Sequence, residues 1–256
     1  MTSGDFLVKQ LKKLVFLPYA KLRAWMGGEG KGFSRSHYGV LLKTNWRDRT
    51  FVYCHFAVYG HGLSSYLKAL DRPFVFLDIG ANQGLYSLIA GKNPFCTSAI
   101  ALEPVPDTFA RLTENINANG LQDRVKAVQA ALSDKKGTAT IAFDAAHSGL
   151  ASLRDDHDDG LQIETMDMAA FDELLGDPPM LVIKVDVEGH EAAVMAQLVK
   201  SRFLSRMKSV FYEVDAKWSD AAGLRKILES GGFNDFTTIG RGKHFDVLAT
   251  RPLPIA

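Results

Sequence analysis

The pattern of apolar and polar positions changes rhythm near residue 70. Before it, "FLVKQLKKLVFLPYAKLRAW" (Phe6 to Trp25) repeats its apolar residues at helical spacing. The stripe Leu7, Leu11 and Leu14 is expected to pack on the protein with the lysines left in solvent. A glycine-rich break, "GGEGKG", follows, and "HYGVLLKTN" and "TFVYCHFAV" then flank the polar turn "NWRDR", a pattern that predicts a β-hairpin. Residues 1–70 therefore read as an N-terminal cap and 71–256 as the main domain. From Phe74 onward short apolar runs alternate with helical periods: "FVFLDIG", "GLYSLIAGK", "TSAIALEP", "PDTFARLTENINANG", "VKAVQAAL". Between Thr138 and Leu175 the chain reads as strand and loop with one short helix, "AAFDELL". The rhythm then resumes through "MLVIKVDV", "EGHEAAVMAQLVKS", "SVFYEVD" and "DAAGLRKILESGG", and closes on two β segments, "FNDFTTIG" and "HFDVLAT". Strands alternating with helices imply parallel βαβ units in an open α/β sheet.

Charge narrows the field of partners. Lys+Arg 30 against Asp+Glu 29 leaves a net charge of +1, without the basic excess that drives binding to a phosphate backbone, so nucleic acid is not an expected partner. Cys54 and Cys96 form neither a CxxC pair nor a disulfide framework, which suits a reducing, cytoplasmic setting. No apolar run approaches the ~20 residues of a membrane span. The basic start of the chain could lie on an anionic membrane surface, but the packed helix is the plainer expectation.

Where the first strand of the alternating region turns into its helix, the sequence is "DIGANQGLYSL". In open parallel sheets this turn floors the ligand crevice. Gly80 and Gly84 allow close backbone approach, yet Asn82 and Leu85 stand where a dinucleotide fingerprint has its second and third glycines. Asp78, just before the turn, would repel a diphosphate and suits a cationic, hydroxyl-bearing ligand. The next strand ends in Glu103, 23 positions after Gly80, close to the ~20 expected of a ribose-binding acid. A carboxylate there can accept from both ribose hydroxyls. S-adenosylmethionine (SAM), with its sulfonium, amino group and ribose, fits both acids.

The runs "FLDIGANQGLYSL", "ALEPVPDTFARLTENINAN", "ALSDKKGTATI" and "VIKVDVEGHEAAVMAQL" together resemble the FkbM family of SAM-dependent methyltransferases, in order and spacing, over roughly Tyr38 to Asp215. The resemblance implies the class I methyltransferase Rossmann-like fold: an open, seven-stranded, mostly parallel sheet with helices on both faces. It further implies that Asp78, Gly80, Asn82, Gly84 and Glu103 hold the methionine and ribose portions of SAM, with Ala131, Leu132 and Ser133 beside the adenine. The implied reaction is O-methylation of a hydroxyl on a sugar, polysaccharide or natural product. A regulatory module that binds SAM without turnover is the alternative.

A second polar constellation interrupts the apolar run "LVIKVDVEGHE" (Leu181 to Glu191). Strand alternation puts Val182, Lys184 and Asp186 on one face, and a lysine inside a buried strand needs a carboxylate partner. Glu213, in the neighbouring "SVFYEVD", is the expected partner of Lys184. Asp186 should reach the crevice, with Glu188, His190 and Glu191 in the turn that follows. Methyl transfer to oxygen requires a positioned group that removes a proton; Asp186 or His190 is the expected base, with Glu213 as a second carboxylate. The cluster Asp186, Glu188, His190 and Glu213 could instead hold Mg²⁺, although no metal is expected. In the middle of the chain, the loop "HSGLASL" offers His147 as a substrate contact and a candidate lid.

Overall fold

The computed structural model describes residues 3–26, 31–141, 160–215, 217 and 219–252, with side chains from Leu14 onward. The N-terminal region holds α1 (Ser3–Trp25), the paired strands β1 (Phe33–Arg35) and β2 (Leu41–Lys43), α2 (Arg49–His55) and α3 (His61–Ala69). The expected hairpin across "NWRDR" does not form: β2, inside "HYGVLLKTN", pairs instead with the preceding β1. "RTFVYCH", which reads as strand from its aromatic and β-branched content, is the helix α2. Burial overrides propensity there: Phe51, Val52, Cys54 and His55 are all buried, and Trp46 meets Phe51 edge-on at 5.0 Å. Asp48 caps the helix by accepting from Thr50 N at 2.9 Å. Asp48→Ala should lower stability by about 0.5–2 kcal/mol, seen as an earlier urea midpoint.

α1 packs by a different face from the expected one. Ala20 is buried, Phe16, Leu17 and Ala24 lean on the core, and Phe16 stacks on Phe56 at 4.0 Å. Leu14 is 71% exposed. The aromatic surface of Phe56 and Trp46 draws Phe16 and Tyr19 inward, which rotates Leu14 away; the side chains of Leu7 and Leu11 lie outside the described ones.

The alternating region builds β3 (Phe74–Ile79), α4 (Leu85–Gly91), β4 (Cys96–Leu102), α5 (Pro106–Ala118) and β5 (Val125–Val128). A small sheet follows, of β6 (Ala131–Leu132), β7 (Gly137–Ile141) and β8 (Leu161–Met166), and then α6 (Met168–Leu175). The chain finishes with β9 (Leu181–Val185), α7 (Glu191–Leu198), β10 (Met207–Asp215), α8 (Ala221–Ser230), β11 (Asp235–Gly240) and β12 (His244–Thr250). The large sheet has seven strands in the order β11-β12-β10-β9-β3-β4-β5. β12 alone runs against its neighbours; the others share one direction.

Alternation along the strands divides the core between two faces. Phe76, Val182 and Phe211 join the N-terminal helices, α4 and α5 on one side. Leu77, Ile183 and Val210 join α6, α7 and α8 on the other. The class I methyltransferase-like α/β architecture is therefore present, helices on both faces included. From β3 the chain winds outward to β4 and β5, then returns to place β9 against the other edge of β3. The switch point lies between β3 and β9, and a ligand crevice is expected beyond their carboxyl ends. No described helix is long and apolar enough to cross a membrane.

Candidate active site

The turn after β3 is built against the chain's own backbone. Gly80 has φ +77° and Gly84 φ +87°, and a Cβ on Gly80 would run into the carbonyl oxygen of Asp186, one on Gly84 into Leu112. The two glycines thus let β3's turn close on β9 and α5, not on a ligand as their spacing suggested. Asn82 also takes a left-handed conformation, φ +50°. Every amide from Gly80 to Gly84 is engaged inside the protein. Gly80 N and Ala81 N donate to Leu102 O, and Gly84 N to Ala81 O. Asn82 N donates to Glu103 Oε2 at 2.9 Å and Gln83 N to Asn82 Oδ1 at 2.8 Å. None of these five is left to cradle a phosphate, which is how a dinucleotide loop works.

Glu103 closes this corner. It is 6% exposed, its Oε1 accepting from Val105 N at 3.0 Å and its Oε2 from Asn82 N. A carboxylate oxygen accepts more than one hydrogen bond, so both retain capacity for a ligand's hydroxyls. Burial pushes its pKa up to about 7, against the pull of the two amides. Nearby, the buried Gln83 Nε2 has no hydrogen-bond partner among the described residues, and Asp78 Oδ1 faces only the Lys184 ammonium, at 3.4 Å. A polar ligand with vicinal hydroxyls and amino or sulfonium charge, as SAM carries, therefore fits the donors and acceptors present.

Beneath the turn lies an ion trio, buried at Asp78 and Lys184 and half-open at Asp186. Asp78 is fully buried; its Oδ2 accepts from Ser87 N and Oγ at 3.1 and 2.7 Å. Lys184 Nζ stands 3.4 Å from Asp78 Oδ1 and 3.3 Å from Asp186 Oδ2, and donates to Gly80 O at 2.5 Å. Burial alone would lower the Lys184 pKa, but Asp186 and Asp78 outweigh it and hold the ammonium charged. The expected Lys184–Glu213 pair is thus replaced by two aspartates. The register explains this: Lys184 lies opposite Asp78 across the β9–β3 ladder, but opposite Phe211 on the β10 side.

Glu213 turns instead to β12. His244 Nε2 is 2.8 Å from Glu213 Oε1, and its Nδ1 3.7 Å from Asp215 Oδ2. Burial, then repulsion from Asp186, raises the Glu213 pKa above the ordinary carboxylate range. The His244 pKa is pushed up to about 9, foremost by its hydrogen bond with Glu213. His244 was not among the sequence candidates; its signal was the antiparallel pairing of the last strand with β10, which sets it opposite Asp215. One carboxylate oxygen each of Asp186, Glu188 and Glu213 lies within 4.8 Å of the others, a spacing a hard cation could bridge. Lys184 on Asp186 and His244 on Glu213 already bring positive charge to two of the three.

His190 belongs to a different corner. Its Nε2 is 3.5 Å from Ser133 Oγ, and burial lowers its pKa, keeping it neutral near pH 7. Ala131 and Leu132 form β6, so His190 meets the segment expected beside the adenine at Ser133, whereas the carboxylate cluster contains Asp186 and Glu213 without His190. Glu191 is structural: Oε1 accepts from Val187 N at 3.2 Å and Gly189 N at 3.0 Å, shaping the turn that presents Asp186. His147 and the candidate lid lie outside the described residues.

Comparison with known proteins adds a direct finding. The model of the methyltransferase FkbM domain matches residues 78–234. The chain is 28% identical to the hexuronic acid methyltransferase AglP of Haloferax volcanii, over 93% of this chain and 94% of that one. It is 31% identical to methyltransferase sdnD of Sordaria araneosa, over 46% of this chain and 45% of that one. Among solved structures, an O-methyltransferase family protein from Burkholderia thailandensis superposes with a TM-score of 0.49 at 10% identity, covering 80% of this chain and 59% of that one.

Proposed function

Since the chain belongs to the FkbM methyltransferase family, we propose that it uses SAM to methylate a hydroxyl oxygen of a sugar or sugar-containing acceptor. The observation that carries the cofactor is Glu103: a buried carboxylate on the glycine turn, at the sheet's switch point, with acceptor capacity left on both oxygens. AglP, a hexuronic acid methyltransferase similar along nearly its whole length, supports the sugar. SAM supplies a methyl group activated by its sulfonium.

Glu103 would receive the ribose hydroxyls, and Ala131 to Ser133 with His190 would border the base. Lys184 ties the tips of β3 and β9 together through Gly80 and Asp186, fixing the crevice before the ligand arrives. The carboxylates of Asp186 and Glu213 would face the acceptor hydroxyl. Asp186 is already engaged by the Lys184 ammonium at 3.3 Å. Glu213, with its raised pKa, is the better base, held by His244.

Calorimetry with S-adenosylhomocysteine tests the cofactor assignment. Hydrogen bonds to a charged group contribute about 1.5–3 kcal/mol, so Glu103→Ala should bind at least about tenfold more weakly. Wild-type affinity should also fall as pH drops below about 7, where the buried Glu103 takes up its proton. Equal affinity of the variant, or thermal protection by NADH in place of S-adenosylhomocysteine, would remove the assignment.

A further inference from the structure

We propose that the outer face of α1 docks the protein on an anionic lipid surface. Leu14, Pro18, Leu22 and Trp25 follow one another at helical spacing, and all are exposed, Leu14 by 71% and Trp25 by 83%. Val15 at 62% and Met26 at 65% widen the same face. The inner face is already taken by Phe56 and Trp46, which hold Phe16 and Tyr19, so the helix is seated and its outer stripe is left over. Contiguous apolar patches of this kind mark interaction surfaces.

Charge selects the occupant. α1 carries Lys9, Lys12, Lys13 and Lys21 against the single acid Asp5, a net +3 from these residues in a chain of net +1, with Arg23 turned inward over the Trp46 ring. Two copies meeting through this face would set like charges against each other. An anionic bilayer answers both features: apolar side chains enter the acyl boundary, an aromatic such as Trp25 sits at headgroup depth, and flanking lysines reach the phosphates. Lys21, exposed, lies one turn before Trp25 at the border of the stripe. α1 is not apolar enough to cross a membrane, so it would lie in the surface plane.

The test is vesicle co-sedimentation of the full chain, using phosphatidylcholine alone and with about 40% phosphatidylglycerol. Retention on the anionic vesicles is expected to exceed that on the neutral ones at least about tenfold, and to fall with salt. Leu22→Glu with Trp25→Glu should lower it at least about tenfold, as should Lys12→Gln with Lys13→Gln. Leu22 and Trp25 are solvent-facing, so Leu22→Glu with Trp25→Glu should keep the wild-type Tm and S-adenosylhomocysteine affinity, which separates this proposal from the cofactor assignment. Absence of retention, equal retention on both vesicles, or retention unmoved by either double variant would overturn it. So would sedimentation velocity showing a dimer that Leu22→Glu with Trp25→Glu dissolves.

Discussion

Glu213→Gln is expected to lower turnover about 10²- to 10⁴-fold, the range a positioned general base contributes, while leaving S-adenosylhomocysteine affinity unchanged. The assay is formation of S-adenosylhomocysteine from SAM on the acceptor that a screen of hexuronic acids and other sugars returns. Ionised Glu213 is the active form, so kcat should rise with pH through its raised pKa, placing the acidic limb above the ordinary carboxylate range. His244 is protonated until about pH 9, and its positive charge favours ionised Glu213. Removing that charge in His244→Phe should therefore move the acidic limb to higher pH, with less effect on KM than on kcat below neutrality. A limb that stays in place would reduce His244 to a packing role. His190→Ala, in the corner with Ser133, should affect nucleoside binding more than the pH profile. Activity surviving EDTA would leave the carboxylate cluster to protons alone; its loss, restored by Mg²⁺, would make Asp186, Glu188 and Glu213 ligands and overturn the base assignment.

The alternating rhythm after Phe74 carried most of the fold because each strand of a buried parallel sheet is a short apolar run, set off there by helical periods on either side. The N-terminal region misled for the same reason. "TFVYCHFAV" is apolar enough for a strand, and only the surroundings, Trp46 on one side and the Asp48 cap at its start, make it helical. A short apolar run does not by itself distinguish buried helix from buried strand. α1 has the right period, but a period fixes which residues share a face and not which face turns inward. The aromatic pair Phe56 and Trp46 made that choice.

At the site, residue types were legible and partners were not. Lys184 was conspicuous as a cation in an apolar strand, and its need for a carboxylate follows from burial alone. Choosing between Glu213 and Asp78 required the register, since both strands flank β9. The glycines were likewise conspicuous, but what they admit is the Asp186 carbonyl and Leu112. His244 was invisible because its role depends on the hairpin of β11 and β12 folding back onto β10, a long-range pairing without a local motif.

Lys184→Met is expected to destabilise the protein by about 3–5 kcal/mol, because removing one member of a buried ion pair strands the other. Asp78 is the group stranded: it is fully buried, and Ser87 satisfies only one of its oxygens. Asp186, 36% exposed at its side chain, can turn to water and should contribute little to the loss. In a chain of 256 residues each kcal/mol moves Tm by about 2–4 °C, so a fall of roughly 6–20 °C is expected by differential scanning calorimetry. Lys184→Met combined with Asp78→Asn removes the stranded charge while keeping an acceptor for Ser87, and should recover much of that fall. The double variant still lacks the donor to Gly80 O, so its S-adenosylhomocysteine affinity should remain below wild type although its stability returns. If single and double variants melt together, the trio acts through packing and not through charge. If stability and affinity return together, the tie between the tips of β3 and β9 is not what shapes the crevice.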